Sequence, residues 1–322
     1  MLAVKAGDRR KGRRRIGDLP LMRSENAYGV LYGMAAVFIW SAFIIVSRFG
    51  VRTHLSPWDI VAIRFTVAGA VVLPYLIRKG LAVDVLGWSG FAAIVIGCGA
   101  PCVLLVNAGL LFAPAAHAGA LYPGGAPLMV AILAIVFLNE VPSPSKTIGL
   151  SLIVLGALCL VFGNGGSIGT QQNLGQSLFL AAALVWGGYT IAMRKAQIDG
   201  LHAAAIAAVV SLVLYLPPYL YFDGLRVLSV PAGELALQAV VQGVLTAIVA
   251  LLLYGRTVRI LGATRAAAFV ALTPVVTAIF SIPILGEWPS LADWVSIAII
   301  SSGVYVVGGG RLPTKIAKTG AT

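Results

Sequence analysis

Ten stretches of roughly twenty apolar residues follow one another along this chain, near 29–48, 58–77, 88–111, 115–138, 146–163, 174–194, 202–221, 235–257, 263–285 and 291–309. Each is long enough to cross the hydrocarbon core of a bilayer as a helix. Charges, prolines and glycines punctuate them. With 59% hydrophobic and only 11% charged residues, against about 25% charged in soluble domains, and a mean hydropathy of +0.96, a water-soluble fold is excluded. In hydrocarbon each backbone polar group must be satisfied within its own segment. The expected fold class is therefore an all-α polytopic membrane protein with ten transmembrane helices.

The basic residues orient it, because Lys and Arg accumulate in cytoplasmic loops. An inside N-terminus places 19 of the 23 basic residues on one face: the eight from Lys5 to Arg23, then Arg78, Lys79, Lys146, Arg194, Lys195, Arg256, Arg259, Arg265, Arg311, Lys315 and Lys318. Arg48, Arg52 and Arg226 fall on the other face, and Arg64 lies within a span. Both termini are thus expected to be cytoplasmic, in the inner (plasma) membrane. The net charge of +12 reflects this lining of one membrane face and a basic arm, 1–28, rather than a nucleic-acid partner. The arm reads as an unstructured topology determinant, with Met22 an alternative start. No small-residue cleavage site follows the first run, so it is not a signal peptide. Cys98, Cys102 and Cys159 show no metal-ligand spacing and read as packing residues; no cofactor is expected.

The chain also repeats itself. "TPVVTAIFSIPILGEWPS", Thr273 to Ser290, matches "APLMVAILAIVFLNEVPS", Ala126 to Ser143, at 8 of 18 positions, with Pro127 over Pro274, Glu140 over Glu287 and Pro142 over Pro289. Tyr28 to Arg48 likewise lies over Leu174 to Arg194, matching Gly29 to Gly175, Trp40 to Trp186 and Arg48 to Arg194. Each half, 29–163 and 174–309, holds five spans, and 164–173 joins them. An odd number of spans gives the second copy the opposite membrane polarity. The expected architecture is two inverted-topology repeats, a plan whose substrate site lies near the midplane between the halves.

The duplicated pattern of proline, apolar run, "NE" or "GE" and a further proline resembles the drug/metabolite transporter superfamily, in its EamA branch, over residues 29 to 309. "LNE" at Leu138 to Glu140 departs from the usual glycine. Within the branch the chain is similar to YddG-type exporters of aromatic and other amino acids. That resemblance implies a secondary transporter.

Residue types then suggest where a solute would sit. Trp58, Trp88, Trp288 and Trp294 stand at span ends, as interfacial anchors do, whereas Trp40 and Trp186 fall near mid-span at equivalent positions of the repeats. The same shift maps Tyr122 onto Phe269 and Asn107 onto Tyr254. These six are the candidate cavity lining, the alternative for each being packing between helices. "LYPGGAP", Leu121 to Pro127, should kink or unwind the fourth span, which is tolerated where backbone is buried in protein or lines a wet cavity. Arg64 reads as a partner for a substrate carboxylate or as a side chain snorkelling toward Asp59 and the interface.

Glu140 and Glu287 sit just before the following helix and read as helix-end caps favoured by its dipole, with a proton site as the alternative. Glycines at Gly149, Gly156 and Gly163, and Ser296, Gly303 and Gly310, recur every seven residues. They point to a close seam between helices 5 and 10 or to a dimer contact, leaving monomer and homodimer both open. His117 and His202 read as interfacial. With no phosphate loop and no nucleophile beside a base, an enzyme is not expected. The expected function is export of amino acids or similar small amphipathic metabolites by alternating access, as a uniporter. A multidrug or sugar carrier, or a non-transporting sensor or assembly partner, is the alternative.

Overall fold

The computed structural model describes residues 18–163 and 170–310. Among them are nine helices long and apolar enough to cross a membrane and a tenth, shorter apolar helix. They are α1 (Asp18–Arg52), α2 (Pro57–Lys79), α3 (Val83–Phe112), α4 (Ala115–Leu138), α5 (Pro144–Phe162), α6 (Gln171–Ala196), α7 (Gly200–Phe222), α8 (Ala232–Leu261), α9 (Thr264–Leu285) and α10 (Leu291–Val307). The first helix reaches back to Asp18, into the arm whose composition suggests no structure. The rest of that arm, residues 164–169 of the linker and the tail beyond Gly310 lie outside the described residues.

Helix ends follow from local chemistry. Ser56 accepts from the Asp59 backbone N–H and Asp59 returns the bond, a capping box that starts α2; Ser290 and Asp293 do the same for α10. Asn139 ends α4 and Gly286 ends α9, both in the left-handed conformation, at φ of 52° and 66°. Asparagine tolerates that region better than other side chains, which explains how "NE" serves where the second copy has "GE".

The helices pack in matched pairs. α1 lies against α8 and α9, and α6 against α3 and α4; α2 meets α8, and α7 meets α3; α2 also packs on α7, α4 on α9 and α5 on α10. Exchanging the first five helices with the last five maps this set onto itself. The α5–α10 contact is among the most extensive, and the seven-residue glycine period explains why. A Cβ on Gly149 would lie 2.8 Å from the Gly303 carbonyl oxygen, and one on Gly156 would lie 3.0 Å from that of Ser296. These small residues face each other inside one chain and form its seam.

Four helices are irregular, at related places. α4 unwinds over Tyr122–Gly125, and α9 breaks at Ala271 and Leu272. α3 breaks at Gly99, where the freed Ala100 N–H donates to Ser211 Oγ at 2.9 Å. α8 widens into a π-helical stretch over Ala239–Val249.

Gly149→Val should drive side-chain atoms into the α10 backbone and destabilise the protein by about 1–3 kcal/mol. Gly188→Ala, with nothing within 4 Å of the added atom, should not. Thermal unfolding of both variants in detergent checks the seam, and equal midpoints would contradict it.

Candidate functional site

A cavity of about 980 Å³ runs from the middle of the bundle to one of its ends. Its inner wall carries Trp40, Phe43, Arg64, Tyr122, Trp186 and Tyr254; its mouth carries Glu140, Lys146, Arg194, Asp199 and Arg259 at the ends of α4 to α8. Both halves contribute to it. The irregular segments border it too, through Pro123 and Ala126 of α4 and Val270 and Thr273 of α9.

Of the residues expected from the sequence, Trp40, Arg64, Tyr122, Trp186 and Tyr254 therefore share one cavity. Trp40 and Tyr254 meet at 5.3 Å between ring centroids, and Trp186 sits between Tyr122 at 6.2 Å and Tyr189 at 4.9 Å. Asn107 and Phe269 do not line it. Asn107 is fully buried and donates to the Val103 carbonyl one turn back at 2.8 Å. Phe269 packs toward Gly33 of α1, so that a Cβ there would meet its ring at 2.8 Å. Their repeat-related partners Tyr254 and Tyr122 do line it.

Arg64 does not snorkel toward Asp59, whose carboxylate is taken by Ser56 and by Tyr219 Oη at 2.5 Å. Its guanidinium lies 5.2 Å from the centroid of Phe43 and 5.8 Å from that of Phe65 and donates to Gln242 Oε1 at 3.2 Å.

The cavity stops short of the other end of the bundle, where an ion pair closes it. Arg48 Nε donates to Glu287 Oε1 at 2.7 Å, the pair being only 14% and 12% exposed. Arg48 Nη1 also donates to the Leu110 carbonyl, and Arg52 reaches Glu287 at 3.4 Å. The second carboxylate oxygen accepts the Ala115 N–H at 2.8 Å. Ala115 opens α4 behind Pro114, which offers no side-chain cap. Glu287 thus caps a helix of the opposite half, while the next helix, α10, is capped by its own Ser290 and Asp293. At the mouth the repeat-related pair is Arg194 Nη2 to Glu140 Oε1 at 2.6 Å, 43% and 49% exposed. Each pair joins a glutamate of one half to an arginine of the other.

Several participants carry no clear sequence signal. His117 is buried rather than interfacial, bonded to Asp293 Oδ1 at 3.0 Å and to Gln176 at 3.0 Å, so it ties α4 to α10 and α6. Cys98 and Cys102 line the cavity wall. Only "GCGAPC", with Gly99 and Pro101 inside a span, hints that α3 breaks there. Among the described residues no group of three or more His, Cys, Asp and Glu is placed to hold a metal ion.

The sequence profile of the EamA-like transporter family matches the chain twice, over residues 27–162 and 173–309. The chain belongs to that family. One EamA repeat coincides with α1–α5 and the other with α6–α10, and the protein is a multi-pass membrane transporter of small molecules, not an enzyme. It is similar to the "Uncharacterized transporter YyaM" of Bacillus subtilis (strain 168), with 27% identity over 300 residues that span 89% of this chain and 95% of the relative. A solved crystal structure matches with a TM-score of 0.57 at 20% identity, over 87% of this chain and 96% of the other, a likeness of fold.

If the aromatic residues shared by the two EamA repeats contact the solute, Trp40→Ala and Trp186→Ala should each weaken binding of L-phenylalanine by roughly 1–2 kcal/mol, the scale of a desolvated aromatic contact. Trp58→Ala and Trp88→Ala, at positions 49% and 77% exposed, should leave it intact. Affinities of purified variants decide, and equal losses at all four would place the solute elsewhere.

Proposed function

We propose that this protein is a ten-span carrier of the inner membrane that exports amino acids, aromatic ones among them, or similar amphipathic metabolites, by alternating access. Its two five-helix repeats, 29–163 and 174–309, are inverted with respect to each other, and both termini are cytoplasmic. The helix pairing supports the inversion, because it is unchanged on exchanging the halves, and an odd number of spans per half puts the exchange axis in the membrane plane. The Lys and Arg distribution supports the orientation, in which the cavity mouth at Glu140 faces the cytoplasm. Likeness to YddG-type exporters and the aromatic wall support the substrate class.

One observation carries the mechanism: the two repeat-related ion pairs are in unequal states. Arg48 and Glu287 are nearly buried, and the carboxylate also holds the start of α4. Arg194 and Glu140 stand half exposed, and among the described residues the Glu140 carboxylate meets Arg194 alone. In the alternate state the two exchange roles: the Glu287 brace opens, and Glu140 takes the equivalent place at the start of α9. The acids that line the cavity, Glu140 and Asp199, lie at its mouth, which supports uniport over exchange at a mid-membrane carboxylate.

Cys98 reports the switch. With Cys102 and Cys159 replaced by serine, a membrane-impermeant thiol reagent should modify Cys98 from the cytoplasmic face. Glu287→Gln, by weakening the closed brace, should move that reactivity toward the opposite face. Labelling of inside-out and right-side-out vesicles measures it, and a Cys98 whose sidedness is unaltered in a folded Glu287→Gln protein would contradict the exchange.

A further inference from the structure

We propose that Arg64 is the carboxylate-binding residue of the cavity, and that the protein therefore takes solutes carrying a single carboxylate and rejects amphipathic cations. The proposal rests on reading this cavity as the substrate site.

The inner wall holds a cation without a counter-ion. Arg64 has five N–H donors, of which one, on Nη1, meets Gln242 Oε1 at 3.2 Å. Its Nε is buried with no partner, and no salt bridge reaches it among the described residues. The acids lining the cavity are Glu140 and Asp199, both at the mouth, and Glu140 is already paired with Arg194. A charge withdrawn from water and left unpaired is costly, and intramembrane charge of this kind marks a substrate path.

The surroundings hold the guanidinium in place rather than neutralise it. Gln242 donates its amide to Ser47 Oγ at 2.8 Å and to Gln238 Oε1 at 3.3 Å, which turns its oxygen to Arg64. Gln238 in turn donates to the Val46 carbonyl at 2.8 Å. This ladder lies at and within the π-helical stretch of α8 and fastens it to α1. Phe43 and Phe65 flank the guanidinium. A planar group fixed in this way presents paired donors, the geometry that a carboxylate meets with two parallel bonds.

Charge then selects the class. One unpaired guanidinium balances one negative charge, so a phosphate dianion would be left partly uncompensated, and a cation would add to the existing charge. A monocarboxylate fits directly. A neutral amino acid fits with its ammonium against the aromatic faces of Trp186 and Tyr122. The mouth favours the same sign, with Lys146, Arg194 and Arg259 against Glu140 and Asp199.

The test compares three probes that differ in charge: 3-phenylpropionate, L-phenylalanine and L-phenylalaninamide. Binding is read by calorimetry on the full-length protein in detergent, for wild type, Arg64→Gln and Arg64→Lys. Wild type should bind the two acids at least tenfold more tightly than the amide. Arg64→Gln should lose that preference, and Arg64→Lys should keep part of it. Without ligand, Arg64→Gln should melt no lower than wild type, because it removes a cation that no carboxylate pairs among the described residues. Equal affinity for acid and amide, failure of both acids to bind wild type, an acid preference that survives in Arg64→Gln, or a lower melting point of that variant without ligand would each overturn the assignment. Proteoliposome flux separates this from the transport reading: a protein that moves the amide as fast as the acids is a carrier without this selectivity, and one that binds acids selectively but moves none is not a carrier.

Discussion

The Glu287 carboxylate is the point on which one end of this bundle depends. It sits on the loop after α9, yet its oxygens hold the Arg48 side chain of α1 and the first backbone N–H of α4. The first N–H groups of a helix have no partner of their own, and in a poorly hydrated setting leaving one unmet is expensive. One acid therefore satisfies a helix end and an arginine at once, and both belong to the opposite repeat. Arg48 carries the closure further, to the α3 backbone at Leu110. Four helices converge there, and the cavity ends below them.

The related acid at the other end, Glu140, holds an arginine of the opposite repeat but stands half exposed beside the cavity mouth. Between the two ends, the breaks in α3, α4 and α9 and the π stretch of α8 lie around the cavity. Each break costs intrahelical hydrogen bonds, and some find substitutes, as Ala100 does at Ser211, whereas the π stretch keeps a wider intrahelical ladder. Backbone of this kind persists within a membrane protein only where protein or a wet cavity covers it. The α5–α10 seam is closed by glycines against backbone, and its Ile300 also packs on Gly124 of the unwound α4 segment. A stiff seam beside four interrupted helices is the division of labour that the proposed exchange requires.

Much of this was legible in the chain because the bilayer imposes simple rules. The spans follow from apolar run length, and the duplication of Pro127, Glu140 and Trp40 as Pro274, Glu287 and Trp186 marks the repeat. The pairing of Arg48 with Glu287 across 239 residues was not legible, since it depends on how the halves pack rather than on spacing within either. For Arg64 the sequence left two orientations open; Asp59, bonded to Tyr219 160 residues away, removes one of them. His117 looked interfacial for the same reason, its partner Asp293 lying 176 residues on. Asn107 and Phe269 show the limit of the symmetry argument. Equivalent positions of the two repeats need not share a facing.

The most direct test of the proposed exchange is a pair of distances measured in one sample. Spin labels at His54 and Trp288 report the end closed by Glu287, and labels at Val141 and Gln197 report the end near Glu140; all four positions are exposed, Val141 at 92% and Trp288 at 79%. In detergent, wild type should show a short, narrow distance at the first pair and a longer one at the second. Glu287→Gln should lengthen the first and shorten the second together. Two distances that stay fixed, or that change in the same direction in a folded protein, would contradict an exchange of the two braces.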